Sequence, residues 1–189
     1  MTKERFLAIT DGIIAIIATI MVLEFHVPKS PDLAGLAELA IPMFVYLNSF
    51  LLIMGVWFNH HHLFKDIKRI SPRTFFLNVI WLFFMSLIPF ATSWAGQAPT
   101  KILPELFYLF IITLWTFGFI MMHREIRIHN KDVEFERMTH TYPAAVLFSL
   151  DAICLILVWF WPPIVLLVCF GLSVSVQIQF IRNVGFKEK

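Results

Sequence analysis

Three groups of residues in this 189-residue chain are of types that could do chemistry: Asp11, the run His60–His61–His62, and Asp151. Each lies in or beside a strongly apolar stretch. Asp11 stands within FLAITDGIIAIIATIMVLEF (residues 6–25), and Asp151 within FSLDAIC. A charged side chain in a membrane segment costs at least a few kcal/mol and marks a functional or helix-tying position. An acid of this kind can relay a proton, hold a cation, or tie helices together. The histidines add a fourth possibility, since imidazole is a common transition-metal ligand.

The metal reading has little support. Adjacent helical positions point in different directions, and His123, His129 and His140 are isolated. One of the three consecutive histidines is expected to face inward to Asp11 or Asn78, with the others at the interface. No metal or other cofactor is expected. Cys154 and Cys169 lie in apolar runs with no pattern of a metal or redox site and read as packing thiols. Enzyme signatures are missing: there is no Gly-x-Ser-x-Gly, no paired-His metalloprotease helix and no phosphate-binding glycine loop. The seven glycines are scattered singly, which excludes a carbonyl-lined re-entrant filter; if ions pass, side chains must select them.

The elements that must position these residues are membrane helices. With 59% hydrophobic, 16% aromatic and 15% charged residues, the chain reads as an all-α polytopic membrane protein. Six apolar stretches are long enough to cross, at about 6–25, 37–59, 74–95, 103–122, 144–161 and 163–181, the last two separated by Pro162–Pro163. They form one domain over 1–189, and the first span is too long for a cleaved signal peptide. Of the 15 Lys and Arg, only Lys29 and Lys101 fall on one side. Lys3, Arg5, Lys65, Lys68, Arg69, Arg73, Arg124, Arg127, Lys131, Arg137, Arg182, Lys187 and Lys189 fall on the other. Lys and Arg favour the cytoplasmic side, so both termini are expected there. The net charge of +2 is small and dispersed, so nucleic acid is not an expected partner. Trp57, the three histidines and Asn78 then share the depth of Asp11, where polar groups need partners, and a common hydrogen-bond network is the economical arrangement.

The first helix has two faces. At 100° per residue, Ile13, Ile16, Ile20, Leu23 and, at the margin, Thr19 fall within an arc of roughly 120°. Asp11, Ala15, Ala18 and Val22 fall on another side, whose small residues suit close helix approach. Asp11 is thus expected to face protein.

RFLAITDGIIAIIATIMVLEF, together with WFNHHHLF and LNVIWLFFMSLIPFATSW, resembles the prokaryotic members of the transmembrane protein 175 family, whose animal relative is the endolysosomal potassium channel. The resemblance covers essentially all six spans. Of the hallmark Arg-x-x-x-Phe-Ser-Asp, Arg5 and Asp11 match, while Ile9 and Thr10 replace Phe and Ser. The resemblance implies a homotetramer in the bilayer of the cell (plasma) membrane, with first helices lining a central pore for monovalent cations. Carried over by position, Ile16, Ile20 and Leu23 are the pore-facing layers, with Thr19 near the constriction and potassium in transit near Ile16 and Thr19. The network residues are Arg5, Thr10, Asp11, Trp57, His61 and Asn78. The function so implied is a potassium-preferring cation channel with a hydrophobic side-chain constriction. The alternatives are a proton-coupled secondary transporter using Asp11 or Asp151, although the inverted-repeat signal is weak, and a non-transporting scaffold.

Overall fold

The computed structural model describes residues 2–67, 70–131, 133 and 142–187, with side chains as far as Ile178. Lys68, Arg69, Arg137, His140 and Lys189 lie outside the described residues, as do the side chains of Arg182 and Lys187. The described chain is helical: α1 (Lys3–Leu23), α2 (Leu33–Glu38), α3 (Ala40–Lys65), α4 (Pro72–Ser86), α5 (Ile88–Gln97), α6 (Ile102–His129), α7 (Ala144–Leu157) and α8 (Ile164–Lys187).

Local chemistry sets several of these boundaries. Thr2 caps α1 by accepting from Arg5 N at 3.4 Å, and Asp32 caps α2 by accepting from Ala34 N and Gly35 N at 2.9 and 3.1 Å. Ser71 caps α4 at 3.0 Å from Thr74 N, with Pro72 in the first turn, where its missing N–H costs nothing. The third expected span is broken at Leu87, because Pro89 lacks the N–H that would bond Met85 O; α4 and α5 are the two halves of one crossing.

Four segments have the length and composition to cross a membrane: Lys3–Leu23, Ala40–Lys65, Pro72–Gln97 and Ile102–His129. The fifth expected span over 144–161 is helical only to Leu157 and then turns through Val158–Phe160 ahead of Pro162. At 1.5 Å per residue α7 spans about 21 Å, less than a hydrocarbon core of about 30 Å. In α8 the described apolar helix runs Ile164–Ile178.

α4 packs along α6, α3 along α5 and α8, and α1 against α3, α4 and α5. Trp81 of α4 sits at the centre, stacked on Trp115 of α6 (6.0 Å between centroids, 14°) and on the ring of His60 (5.0 Å, 4°). Deeper hydroxyls tie three helices: Thr92 of α5 donates to Ser49 of α3 (2.8 Å), which in turn pairs with Tyr108 of α6 (3.0 Å). Asn48 Oδ1 accepts from Ser173 of α8 at 2.9 Å. The outer surface is aromatic and aliphatic, with Phe76, Phe83, Phe110, Trp159 and Phe160 exposed, as a lipid-facing surface requires. Both cysteines are buried and free.

Candidate pore-lining helix and its polar anchor

α1 buries Phe6, Thr10, Ile14, Ile17, Ala18 and Met21 against the rest of the subunit. On a helical wheel these residues occupy one side only. The opposite side is open: Ile16 is 58% exposed, Ile20 40% and Leu23 77%, with Thr19 and Gly12 exposed between them. A Cβ added at Gly12 would meet nothing within 4 Å. The exposed face therefore contains the expected stripe, apart from Ile13, which is half-buried and packs against the core. It also extends further round the helix than expected. Ala15 and Val22 are exposed as well, so of the small-residue side only Ala18 is used for packing within the subunit. The correction has a geometric cause: α1 lies in a groove of three helices that covers Asp11 and Ala18 and stops short of Ala15 and Val22.

Thr19 has a particular geometry. Its hydroxyl donates to Ile16 O at 2.9 Å. The proton is thereby turned toward the backbone, and the oxygen's lone pairs are left to the exposed side.

The buried side of α1 is held by two short polar chains. Trp57 of α3 donates its indole N–H to Asp11 Oδ1 at 2.9 Å, and the carboxylate is half-buried. Asn78 of α4 donates from Nδ2 to Thr10 Oγ1 at 2.9 Å. His60 Nε2 lies 3.1 Å from Asn78 Oδ1; since the carboxamide oxygen only accepts, His60 carries its proton on Nε2. Thr10, His60 and Asn78 are all buried.

The structure thus brings together Thr10, Asn78 and His60, and separately Asp11 and Trp57. It replaces His61 with His60 as the inward histidine. The ring of His61 is exposed, with its centroid 6.2 Å from that of Trp57, and His62 turns back to Phe58 O at 3.2 Å. Successive residues on α3 are about 100° apart, so only one of the three can meet α4. Arg5 is exposed, and no hydrogen bond or ion pair holds its side chain among the described residues. Asp151, on α7, accepts from Thr113 of α6 at 2.9 Å, far along the fold from Asp11. Glu105 of α6 is fully buried, and its carboxyl oxygens have no hydrogen-bond partner among the described residues. The Thr92–Ser49–Tyr108 chain was not anticipated from sequence; the available signal was hydroxyl residues in the interiors of apolar spans.

Comparison with known proteins follows the same lines. The family model described as the endosomal/lysosomal potassium channel TMEM175 matches residues 5–89, from α1 into the start of α5. A potassium channel of Chryseobacterium sp. (strain P1-3) is 43% identical over 98 residues, covering 52% of this chain and 51% of that protein. A potassium channel of Streptomyces collinus is 32% identical over 97 residues, covering 49% of this chain and 47% of that protein. The endosomal/lysosomal proton channel TMEM175 of Mus musculus is 26% identical over 188 residues, covering 82% of this chain and 37% of that protein. The chain spans about half the length of the bacterial relatives it matches. Its fold is similar to the crystal structure of a lysosomal potassium-selective channel TMEM175 homolog from Chamaesiphon minutus. The TM-score is 0.78 at 21% identity, covering 94% of this chain and 97% of that one. The chain is thus similar to the TMEM175 family model over residues 5–89, and to the fold of a TMEM175 homolog along nearly its whole length.

Proposed function

We propose that this protein is a passive, potassium-preferring cation channel. In this reading it is a homotetramer of six-span subunits in the plasma membrane, with both termini cytoplasmic and four copies of α1 around the axis. The observation that carries the proposal is the two-sidedness of α1: one face is fixed to its own subunit, and the other presents Ile16, Thr19, Ile20 and Leu23 outward. Cyclic closure turns four such faces toward one another.

The physics of selection follows from the side chains. Aliphatic rings admit an ion only if it sheds part of its hydration, and they close the path by excluding water. Potassium gives up water more easily than sodium. The Thr19 oxygens, whose protons are committed to Ile16 O, then act as acceptors for the partly dehydrated cation. No re-entrant carbonyl filter is required.

The test is Ile16→Asn in proteoliposomes under a potassium gradient. The parent should pass current reversing at the potassium equilibrium potential with no coupled ion, and Ile16→Asn should raise conductance and weaken discrimination against sodium. Ile16→Asn, Ile20→Asn and Leu23→Asn proteins that all assemble and conduct like the parent would place the stripe against lipid. pH-dependent exchange in place of passive current would favour a proton-coupled transporter using Asp11 or Asp151, and no flux at all would favour a scaffold.

A further inference from the structure

Away from α1, the helices α3, α6, α7 and α8 enclose a cavity of about 100 Å³. Its walls are mainly carbon: Ile112, Trp115 and Phe119 from α6, and Leu172 and Val176 from α8. Asp151 of α7 lines the same space. No Lys, Arg or His lines the cavity, so the carboxylate has no basic partner there. Thr113 donates to Asp151 Oδ2 at 2.9 Å, and among the described residues no donor is placed on Oδ1.

We propose that this cavity is a binding site for a small lipophilic amine, its ammonium paired with Asp151 Oδ1 and its apolar body against Trp115 and Ile112. Three features of the site select this chemistry. A carboxylate in a low-dielectric surround calls for a positive charge, and an ammonium supplies charge and N–H donors together. The carbon walls favour an apolar body, and at about 100 Å³ the space is smaller than the cavity of about 150 Å³ that holds benzene, so that body is a short branched alkyl group and not a ring. A bare metal cation fits less well, because Asp151 is the only carboxylate in the lining and most of the wall is carbon, too little oxygen to replace a hydration shell. The occupant touches four helices at once and links α7 to the subunit body independently of what the axis conducts.

The experiment is equilibrium binding of isopropylamine to the full-length protein in nanodiscs of zwitterionic lipid. Isopropanol serves as the uncharged counterpart, and empty nanodiscs give the non-saturable background. Isopropylamine should bind saturably, with isopropanol about tenfold or more weaker, the scale of one charge-assisted hydrogen bond. Asp151→Asn should weaken isopropylamine by a similar factor and leave isopropanol unchanged. Thr116→Phe, which places a ring in the cavity from its own wall, should abolish saturable binding of both. Equal affinity for the amine and the alcohol in the parent overturns the proposal, as does undiminished isopropylamine binding to Thr116→Phe. Should Asp151→Asn fail to assemble, these two comparisons decide alone.

Discussion

Replacing Asn78 with Leu tests the anchor of α1 through an asymmetry in hydrogen-bond energetics. The two shapes are similar, but Leu removes both contacts of the carboxamide, to Thr10 Oγ1 at 2.9 Å and to His60 Nε2 at 3.1 Å. Thr10 and His60 are each 1% exposed, so neither finds water in exchange. Leaving a buried polar group unsatisfied costs roughly 1–3 kcal/mol, while interhelical hydrogen bonds in membranes average about 0.6 kcal/mol and reach about 1.7. Two stranded groups at the lower end of that range give a loss of about 2 kcal/mol. The triple variant Thr10→Val/His60→Phe/Asn78→Leu has more substitutions, yet it strands nothing. Its Phe can keep the parallel stack on Trp81, and it also removes His60 Nδ1, which has no partner among the described residues of the parent. The triple variant should therefore be more stable than the single one. Unfolding midpoints of the purified proteins in one detergent, followed by size-exclusion fluorescence, measure both. A single variant as stable as the parent, or a triple variant less stable than the single, would refute the reasoning.

Asp11→Asn keeps an acceptor for the Trp57 indole but removes its charge. It should lower the yield of assembled protein or the open fraction while leaving the potassium-to-sodium permeability ratio unchanged, and a large change in ratio with normal assembly would put the carboxylate on the axis. Reporter fusions at the C-terminus and within residues 96–102 should give opposite locations, and a C-terminus reporting outside would overturn the orientation read from Lys and Arg. Gly35→Ala should loosen the α1–α3 connection, since an added Cβ would collide with the Ser30 carbonyl oxygen and meet Pro28 Cβ at 3.1 Å; faster hydrogen exchange at Ala34 and Gly35 is the readout. The hydrogen bond from Ser30, with help from the α2 amides, holds the Asp32 carboxyl below its ordinary value of 3.8. The capped turn should therefore be intact at and above that pH and loosen only as pH falls through the lowered value, as the same amides will show.

Periodicity was a good guide wherever one helix face meets protein and the other does not. The stripe Ile16–Ile20–Leu23 is readable from spacing alone and lies on the exposed face of α1. Depth was readable too, since Asp11, Trp57 and Asn78 fall at one level once the spans are drawn. The identity of the inward histidine was not. His60, His61 and His62 differ only in angle, and that angle depends on how α3 is rotated against α8 and α5. There, a Cβ at Gly55 would meet Val176 Cγ1 at 3.0 Å, and one at Gly96 would meet Pro42 Cα at 3.3 Å. These close approaches join residues distant in sequence, and no local pattern encodes them. Hydropathy also ran smoothly through Pro89 and through Val158–Phe160, although proline chemistry ends a helix at both places.

Among the described residues, α1 is tied to its own subunit by Trp57 to Asp11, by Asn78 to Thr10 backed by His60, and by Lys3 to the Lys65 carbonyl oxygen. During synthesis a single newly inserted copy can thus complete its polar bonding before meeting another, with its isoleucines covered by acyl chains in the meantime. In the proposed tetramer, association would then exchange lipid for protein along a surface that is already shaped. Folding and the proposed assembly would then be successive events, with a defect in the anchor damaging the monomer first and a defect in the stripe leaving a well-folded subunit that associates wrongly.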